Sequence, residues 1–242
     1  MKRLLVLYTL LLPLFAAAQP AGRIIYEEKF NLHKGLGPDQ EAHKAMIPEF
    51  QVSKSQLLYD GQAALYGAYE EAEDINAEPE EGVNIQIRRA SNSIYFDYAN
   101  DKQVEQRDFI GKLFIIETPV EKPEWKVLPE QKSILGYPCQ KATYTNKDGQ
   151  VVEAWFSPSI PAPIGPAAYQ GLPGAVLMAS VDDGLRLYQA LSVELGGDKP
   201  EVVAPSKGKQ ITKEEYDKMV EERVREMGGS NRGGMIRIIR SN

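Results

Sequence analysis

The sequence predicts a mainly β protein: a curled antiparallel sheet or partly open barrel, with one amphipathic helix near the C-terminus. Three observations predict this fold class. Short segments with strand-like apolar spacing recur along the chain, turn-forming residues separate them, and one apolar stripe with helical spacing follows residue 210. No internal repeat of the kind found in solenoid proteins is visible.

The N-terminus predicts a secretory signal peptide over residues 1–18. Lys2 and Arg3 form a positive start, residues 4–15 are almost wholly apolar, and three alanines precede Gln19. A membrane anchor is the alternative, but roughly a dozen apolar residues fall short of the ~20 needed to cross a bilayer. We therefore expect an exported protein, periplasmic or secreted, that does not span a membrane.

Length and composition indicate how the chain divides into domains and which classes of partner it can bind. We assign residues 19–200 to a β-rich domain and residues 201–242 to the helix and a flexible tail. The formal charge is −6, and loss of the two basic leader residues takes the mature chain to about −8. A protein with a net negative charge is not attracted to the negatively charged phosphates of DNA or RNA, so we expect no nucleic-acid partner. Cys139 is the single cysteine, which excludes an internal disulfide.

The N-terminal half consists of predicted strands and turns. Residues 24–30 predict the first strand, and residues 50–59 and 63–66 predict a hairpin about Asp60-Gly61, a dipeptide favoured in tight hairpin turns. Residues 69–82 hold seven acidic side chains without the spacing of a calcium loop, so we interpret them as a solvated acidic loop. Further strands are predicted at 83–88, 93–98, 103–109, 113–117 and 125–127.

The central part holds the strongest turn signals. Ile134-Leu135-Gly136-Tyr137 predicts a turn, and residues 140–145 and 151–156 predict a hairpin about Asn146-Lys147-Asp148-Gly149. Trp155 and Phe156 end that second strand on opposite faces, so at least one of them is expected in the core.

A proline-rich stretch follows and ends in a sharp reversal. Four prolines between residues 158 and 166 predict an extended crossing that leads into Gly171-Leu172-Pro173-Gly174. Pro173 and Gly174 match the second and third positions of a type II turn. Buried strands are then predicted at 175–181 and, after Asp182-Asp183-Gly184, at 185–194.

The C-terminal region predicts one helix over residues 213–227. Thr212 precedes Glu215 by three residues, which is the spacing of a capping box. The apolar residues then fall on one helical stripe: Tyr216, Met219, Val220, Val224 and Met227. This stripe either caps the sheet or docks on a partner. Residues 231–242 are expected to form a flexible end, with a late edge strand as the alternative.

The sequence shows no convergent set of reactive residues. It lacks a phosphate-binding glycine loop, a nucleophile elbow and a zinc-protease motif. His33 and His43 do not have a known ligand spacing, so we expect no metal site. Cys139 is interpreted as a small buried residue. We therefore expect no enzymatic activity, no catalytic residues and no cofactor.

Two sets of groups leave catalysis open as a minor alternative. Cys139 could act as the nucleophile of a hydrolase if a base approaches it in the fold. Four carboxylates could supply an acid–base pair, although turn and surface roles explain them more simply: Glu130, Glu153, Asp182 and Asp183. A cysteine-dependent hydrolase is the least favoured interpretation.

One ordered set of residues, which we call the signature residues, points to a known family. The set is Trp125, Gly136, Tyr137, Cys139, Trp155, Gly165, Pro166, Gly171, Leu172, Pro173 and Gly174. In this order they resemble the GLPGLI family of exported Bacteroidota proteins, over residues 125–181. The chain departs from the family at Ala175-Val176, where the family usually has Leu-Ile. The resemblance implies a periplasmic or secreted β-rich protein and brings no catalytic residues.

Two functions are compatible with these observations. The leading interpretation is a non-catalytic binding or carrier protein of the cell envelope, because a curled sheet rich in aromatic residues can hold an apolar ligand or peptide on its concave face. The alternative is an interaction module of an outer-membrane or periplasmic complex, for example beside a transporter, which the helix and the acidic loop motivate. Tyr137, Trp155 and Tyr169 either line a cavity or fill a solid core, and we expect the solid core.

Overall fold

Alternating side chains and tight turns give the strands of the sheet. The computed structural model describes residues 21–36, 44–45, 47–69, 92–196 and 199–226. The strands are β1 (Gly22–Asn31), β2 (Phe50–Tyr59), β3 (Ala63–Ala68), β4 (Ser93–Asp97), β5 (Lys102–Phe109), β6 (Lys112–Pro119), β7 (Lys126–Ile134), β8 (Tyr137–Thr145), β9 (Val151–Ser157), β10 (Ala175–Val181), β11 (Arg186–Leu195) and β12 (Lys209–Gln210). A 3-10 helix spans His33–Gly35, and the helix α1 spans Lys213–Glu226.

The strands form one sheet in the order β12-β6-β5-β4-β3-β2-β1-β11-β10-β9-β8-β7. Strands β1 to β6 follow one another in chain order, as do β7 to β11, so the sheet consists of two meanders. The meanders join where β1 pairs with β11, and β12 with β6 is the one parallel pair among the described strands. The sheet ends at β12 and at β7, which confirms the prediction of an antiparallel sheet that is not closed.

Local turn and cap chemistry follows the sequence. The Asp60 carboxylate accepts the backbone N–H groups of Gln62 and Ala63, each at 2.8 Å, which confirms the predicted hairpin between β2 and β3. The Thr212 hydroxyl accepts the N–H of Glu215 at 3.2 Å, and the Glu215 carboxylate accepts the N–H of Thr212 at 3.1 Å. These reciprocal bonds confirm the capping box of α1.

Several predictions fall outside the described residues. They are the signal peptide at 1–18, most of the acidic loop at 69–82, the strand at 83–88, and the tail at 231–242. His43 lies outside them as well. These predictions stay as the sequence makes them.

One face of the sheet, which we call the inner face, carries the main hydrophobic core. The register places Ile24, Leu57, Tyr66 and Ile94 side by side on neighbouring strands of this face. Residues 158–174, which we call the crossing segment, connect β9 with β10 and pack on the same core. The buried apolar residues that the crossing segment contributes are Ile160, Ala162, Ile164 and Leu172.

The helix α1 covers another part of the inner face. Tyr216 and Val220 pack against Phe114 and Ile116, which occupy inner-face positions of β6. The Tyr216 ring centroid lies 5.8 Å from that of Phe114 in an edge-on arrangement. Of the two roles that the sequence leaves open for this helix, the contacts show that it caps the sheet.

The crossing segment links the two meanders through Gln170. The Tyr98 hydroxyl, just after β4, donates to the Gln170 side-chain oxygen at 2.5 Å. The Trp125 indole N–H, just before β7, donates to the Gln170 backbone oxygen at 2.8 Å. The buried residue Gln170 therefore links the meander β1–β6 to the meander β7–β11, in addition to the pairing of β1 with β11.

Candidate functional site

The signature residues separate into two groups on opposite faces of the sheet. Ala154 and Phe156 belong to the inner core, so Trp155 between them lies on the other face, which we call the outer face. Lys141 pairs with Trp155 across β8 and β9 and shares that face. The outer group comprises Gly136, Tyr137, Cys139 and Trp155, and the inner group comprises Trp125, Gly165, Pro166, Gly171, Leu172, Pro173 and Gly174.

Backbone hydrogen bonds fix the inner group. The N–H of Gly171 donates to the Pro163 oxygen at 3.0 Å, and that of Tyr169 donates to the Pro166 oxygen at 3.0 Å. The Tyr169 ring stacks at a tilt against Tyr188, with 5.4 Å between the centroids. The crossing segment is therefore tied to itself and to the sheet.

The type II turn predicted at Pro173-Gly174 is wrong. A type II turn has φ near +80° at its third position, but Gly174 has φ +158°, and the N–H of Ala175 donates to the Ile160 oxygen at 3.0 Å rather than to the Leu172 oxygen. The N–H of Gly174 donates to the Leu172 oxygen at 2.7 Å instead, which is the pattern of a three-residue γ-turn around Pro173. The bond to Ile160 prevails because it anchors the start of β10 to the crossing segment.

Two signature glycines are required by close approach of the backbone. A Cβ on Gly174 would overlap the backbone of Ser157 and Pro158, and a Cβ on Gly165 would overlap the Tyr169 carbonyl. Gly171 differs, because it has φ +85° and open space around its Cβ position. The inner group is therefore structural: it lets the crossing segment lie directly against the end of β9.

The outer group begins with a two-residue turn at the tip of the β7–β8 hairpin. Ile134 pairs with Tyr137, and the two residues between them have positive φ, 51° at Leu135 and 82° at Gly136. Glycine adopts this conformation readily, but leucine does so rarely. Leu135 is also 48% exposed. The hairpin tip thus holds an apolar side chain in a strained, exposed position.

Strand β7 has one neighbour, β8, within the described part of the chain. In a two-residue hairpin the closing pair exchanges both backbone bonds, and the bonds recur at every second residue. The N–H and C=O groups of Ser133 and Gln131 therefore point away from β8. Pro129 and an irregular register interrupt the earlier half of β7, but residues 131–134 pair regularly. This last stretch, which we call the β7 edge, is open to an added strand.

A cluster of side chains surrounds Trp155 on the outer face beside the β7 edge. The Lys132 ammonium lies 4.1 Å from the indole centroid and 3.0 Å from the Met178 sulfur. The Trp155 N–H donates to Glu153 at 2.9 Å, and Lys141 forms an ion pair with Glu153 at 2.6 Å. We call these five residues the outer-face cluster.

Burial and hydrogen bonds shift the pKa values of the charged residues in the outer-face cluster. Burial lowers the pKa of Lys132, and the nearby Glu153 only partly offsets this effect. The hydrogen bond to Glu153 raises the pKa of Lys141. Burial raises the pKa of Glu153, but hydrogen bonds from Lys141 and Trp155 outweigh it and leave this pKa below its usual range. Lys141 and Glu153 thus neutralise each other, whereas Lys132 lies over an indole ring.

Cys139 is a poor candidate nucleophile. It is 2% exposed, and burial raises the pKa of its thiol, which disfavours the reactive thiolate. The ring of His33 is hydrogen-bonded to the carbonyl of Ile47 at 3.1 Å. Among the described residues, no three His, Cys, Asp or Glu side chains lie close enough to hold a metal ion.

The described helices do not include one that is long and apolar enough to cross a membrane. Trp155 belongs to the buried core cluster, and Tyr137 and Tyr169 pack against it. Tyr169 packs on the inner face against Tyr188, whereas Trp155 and Tyr137 pack on the outer face, so all three aromatic residues contribute to packing.

Comparisons with known proteins support the fold and the family resemblance in part. A family described as "Protein of unknown function (Porph_ging)" matches residues 145–178, which include β9 and the crossing segment. The GLPGLI name itself stays a prediction. A search of curated proteins found no match.

Two crystal forms of a protein named PNGF-II resemble the chain in fold. The form in space group C2 has a TM-score of 0.55 at 15% identity and covers 83% of this chain and 32% of its own. The P21 form has a TM-score of 0.52 at 17% identity, with 83% and 33% covered. The chain thus spans about a third of the length of these solved chains. At such low identity the likeness shows the fold alone.

Proposed function

We propose that the protein is a non-catalytic binding protein of the cell envelope that holds an extended peptide segment, free or part of a partner protein, along the β7 edge. The observation that supports this function is the open, regular edge at residues 131–134. An added strand gains main-chain hydrogen bonds there, and neighbouring side chains provide selectivity.

The hairpin tip adds a second argument. Leu135 keeps an exposed apolar side chain in a left-handed conformation that costs roughly 1 kcal/mol or more. Such strain is typically retained where a position serves recognition. Leu135 follows the β7 edge directly, so a bound segment would reach it.

The peptide is favoured over an apolar ligand because the inner face is already covered. Ile160 and Leu172 of the crossing segment are buried against the sheet, and Tyr216 and Val220 of α1 cover β6. The part of the α1 stripe that the structure describes, Tyr216, Met219 and Val220, is used inside the protein, so a partner would dock on the β7 edge rather than on the helix. The two functions left open by the sequence, a peptide carrier and an interaction module, would therefore use the same binding site, the β7 edge.

A proline at Ser133 tests the proposal. The mature chain is used to select binders from a random peptide display library, and affinities of the selected peptides are measured by calorimetry. Ser133→Pro removes an N–H that points away from β8, so β7 should stay paired. The affinity should fall by at least about tenfold, because the substitution removes a main-chain hydrogen bond and adds a ring at the docking edge.

Ser133→Ala is the matched control, since it removes the hydroxyl and keeps the N–H. It should bind like the unchanged protein, and urea unfolding should show that both variants fold. Selection of no peptide, or equal affinity for the Ser133→Pro and Ser133→Ala proteins, would contradict the proposal.

A further inference from the structure

The head group of Lys132 is placed where an ammonium is poorly satisfied. Its nearest partners are the Trp155 ring at 4.1 Å and the Met178 sulfur at 3.0 Å. Both are weak partners for a cation compared with a carboxylate. Within the described part of the chain, no carboxylate lies within ion-pair distance of this ammonium.

The other charges near the β7 edge are already balanced or exposed. Lys141 forms its ion pair with Glu153, and both face the indole from β8 and β9. Lys126 and Glu130 are exposed on the earlier half of β7. Lys132 is therefore the positive group best placed to receive a new anionic partner.

Resting on the proposed function, we infer that the bound segment carries an acidic side chain opposite Lys132, and that Lys132 moves from Trp155 to that carboxylate. Adjacent strands lie about 4.8 Å apart. Side chains directly opposite each other on one face of an antiparallel pair have Cβ atoms about 5 Å apart. The stem of Lys132 starts on β7 itself, so it can reach a neighbour on either side of the strand.

Burial supports this movement. The partly buried site lowers the pKa of Lys132, which means that the charged ammonium is disfavoured over the indole relative to water. An acidic side chain on the added strand would offer the ammonium an ion pair at the more exposed edge. The acid is a side chain rather than a chain end, because β7 extends on both sides of Lys132.

Charge reversal separates this inference from the proposed function. For each selected peptide, a version with the acidic residue replaced by its amide and a version with an amidated C-terminus are compared. The side-chain amide should weaken binding by about five- to tenfold, and the amidated C-terminus should leave it unchanged. Lys132→Glu should reverse the preference, so that a peptide with lysine at that position binds better.

Lys126→Glu is the control, because it reverses an exposed charge on the same strand. It should keep the preference for acidic peptides. If Ser133→Pro removes binding while Lys132→Glu leaves the preference unchanged, the inference is overturned and the proposed function stands. If Ser133→Pro has no effect, the proposed function itself fails.

Tryptophan emission gives an independent readout of the movement. The chain has two tryptophans, so the Trp125→Phe protein reports on Trp155 alone. Saturation with the acidic peptide should change the emission of Trp155, and in the Lys132→Met protein this change should be absent. Unchanged emission on binding of the acidic peptide would overturn the movement of Lys132.

Discussion

The inner group and the outer group of signature residues use the same residue types in opposite ways. The indole N–H of Trp125 donates to a backbone oxygen of Gln170, whereas that of Trp155 donates to the side-chain carboxylate of Glu153. Position 174 requires glycine because a Cβ there would overlap the neighbouring backbone, whereas a Cβ at Gly136 would have open space around it. Groups bound to backbone hold the fold, and groups bound to partly exposed side chains can exchange partners. The signature thus combines a structural half with an adaptable half.

The largest expected effect separates two glycines of the inner group. Gly174→Ala should lower the free energy of unfolding by about 3 kcal/mol, because a Cβ overlaps the backbone of Ser157. Gly171→Ala should cost only about 1 kcal/mol, since its Cβ has open space and only the positive φ is strained. Urea unfolding measures both. Equal losses would mean that close approach is not what requires Gly174.

The two tryptophans give an intermediate effect. Trp125→Phe leaves the backbone oxygen of Gln170, a residue that is 2% exposed, without its donor and should cost about 2 kcal/mol. Trp155→Phe makes the same change in volume, but the Glu153 carboxylate is partly exposed and can bind water instead. The hydrogen-bond loss there should be below about 0.5 kcal/mol. If thermal or urea unfolding showed a larger loss of stability for Trp155→Phe than for Trp125→Phe, the outer group rather than the inner group would be the structural half.

The smallest expected effect concerns the ion pair of the outer-face cluster. The pKa of Glu153 lies below its usual range, so its charged form stabilises the folded protein above that range, and this contribution disappears as the pH falls through the lowered pKa. The side chains of Lys141 and Glu153 are 22% and 35% exposed, so the contribution should stay below about 1 kcal/mol.

Urea unfolding at neutral and at acidic pH checks this sign. The Glu153→Gln protein should lose slightly less stability on acidification than the unchanged protein. Glu117→Gln serves as the comparison, since its ion pair with Lys102 is about half exposed on both sides. A greater acid loss in the Glu153→Gln protein would contradict the direction of the pKa shift.

Features encoded by a few adjacent residues were predictable from the sequence. The Asn146 side chain accepts the N–H groups of Asp148 and Gln150, which is the turn chemistry that predicted the β8–β9 hairpin. The stripe and capping box predicted a helix over 213–227, and α1 spans Lys213–Glu226. Such signals act over three or four residues, so they survive in any tertiary context.

Features set by distant packing were not predictable. Only residues 125–127 suggested a strand where β7 runs from Lys126 to Ile134, because Pro129 and the charged residues around it hide the alternation. The place of Lys132 over Trp155 depends on a register that is interrupted between Val127 and Gln131. The outer-face cluster therefore needed the structure, although its members Glu153 and Trp155 were already singled out.

The seam between β1 and β11 sets the order in which the protein folds. Each meander pairs strands that are neighbours along the chain, so its connections close at a smaller entropic cost than the seam does. Gly22 pairs with Leu195, so the seam forms only when nearly the whole chain is available. Contacts between residues far apart in sequence slow folding. We therefore expect two preformed halves that dock late, with one edge of β1 exposed to aggregation until β11 arrives.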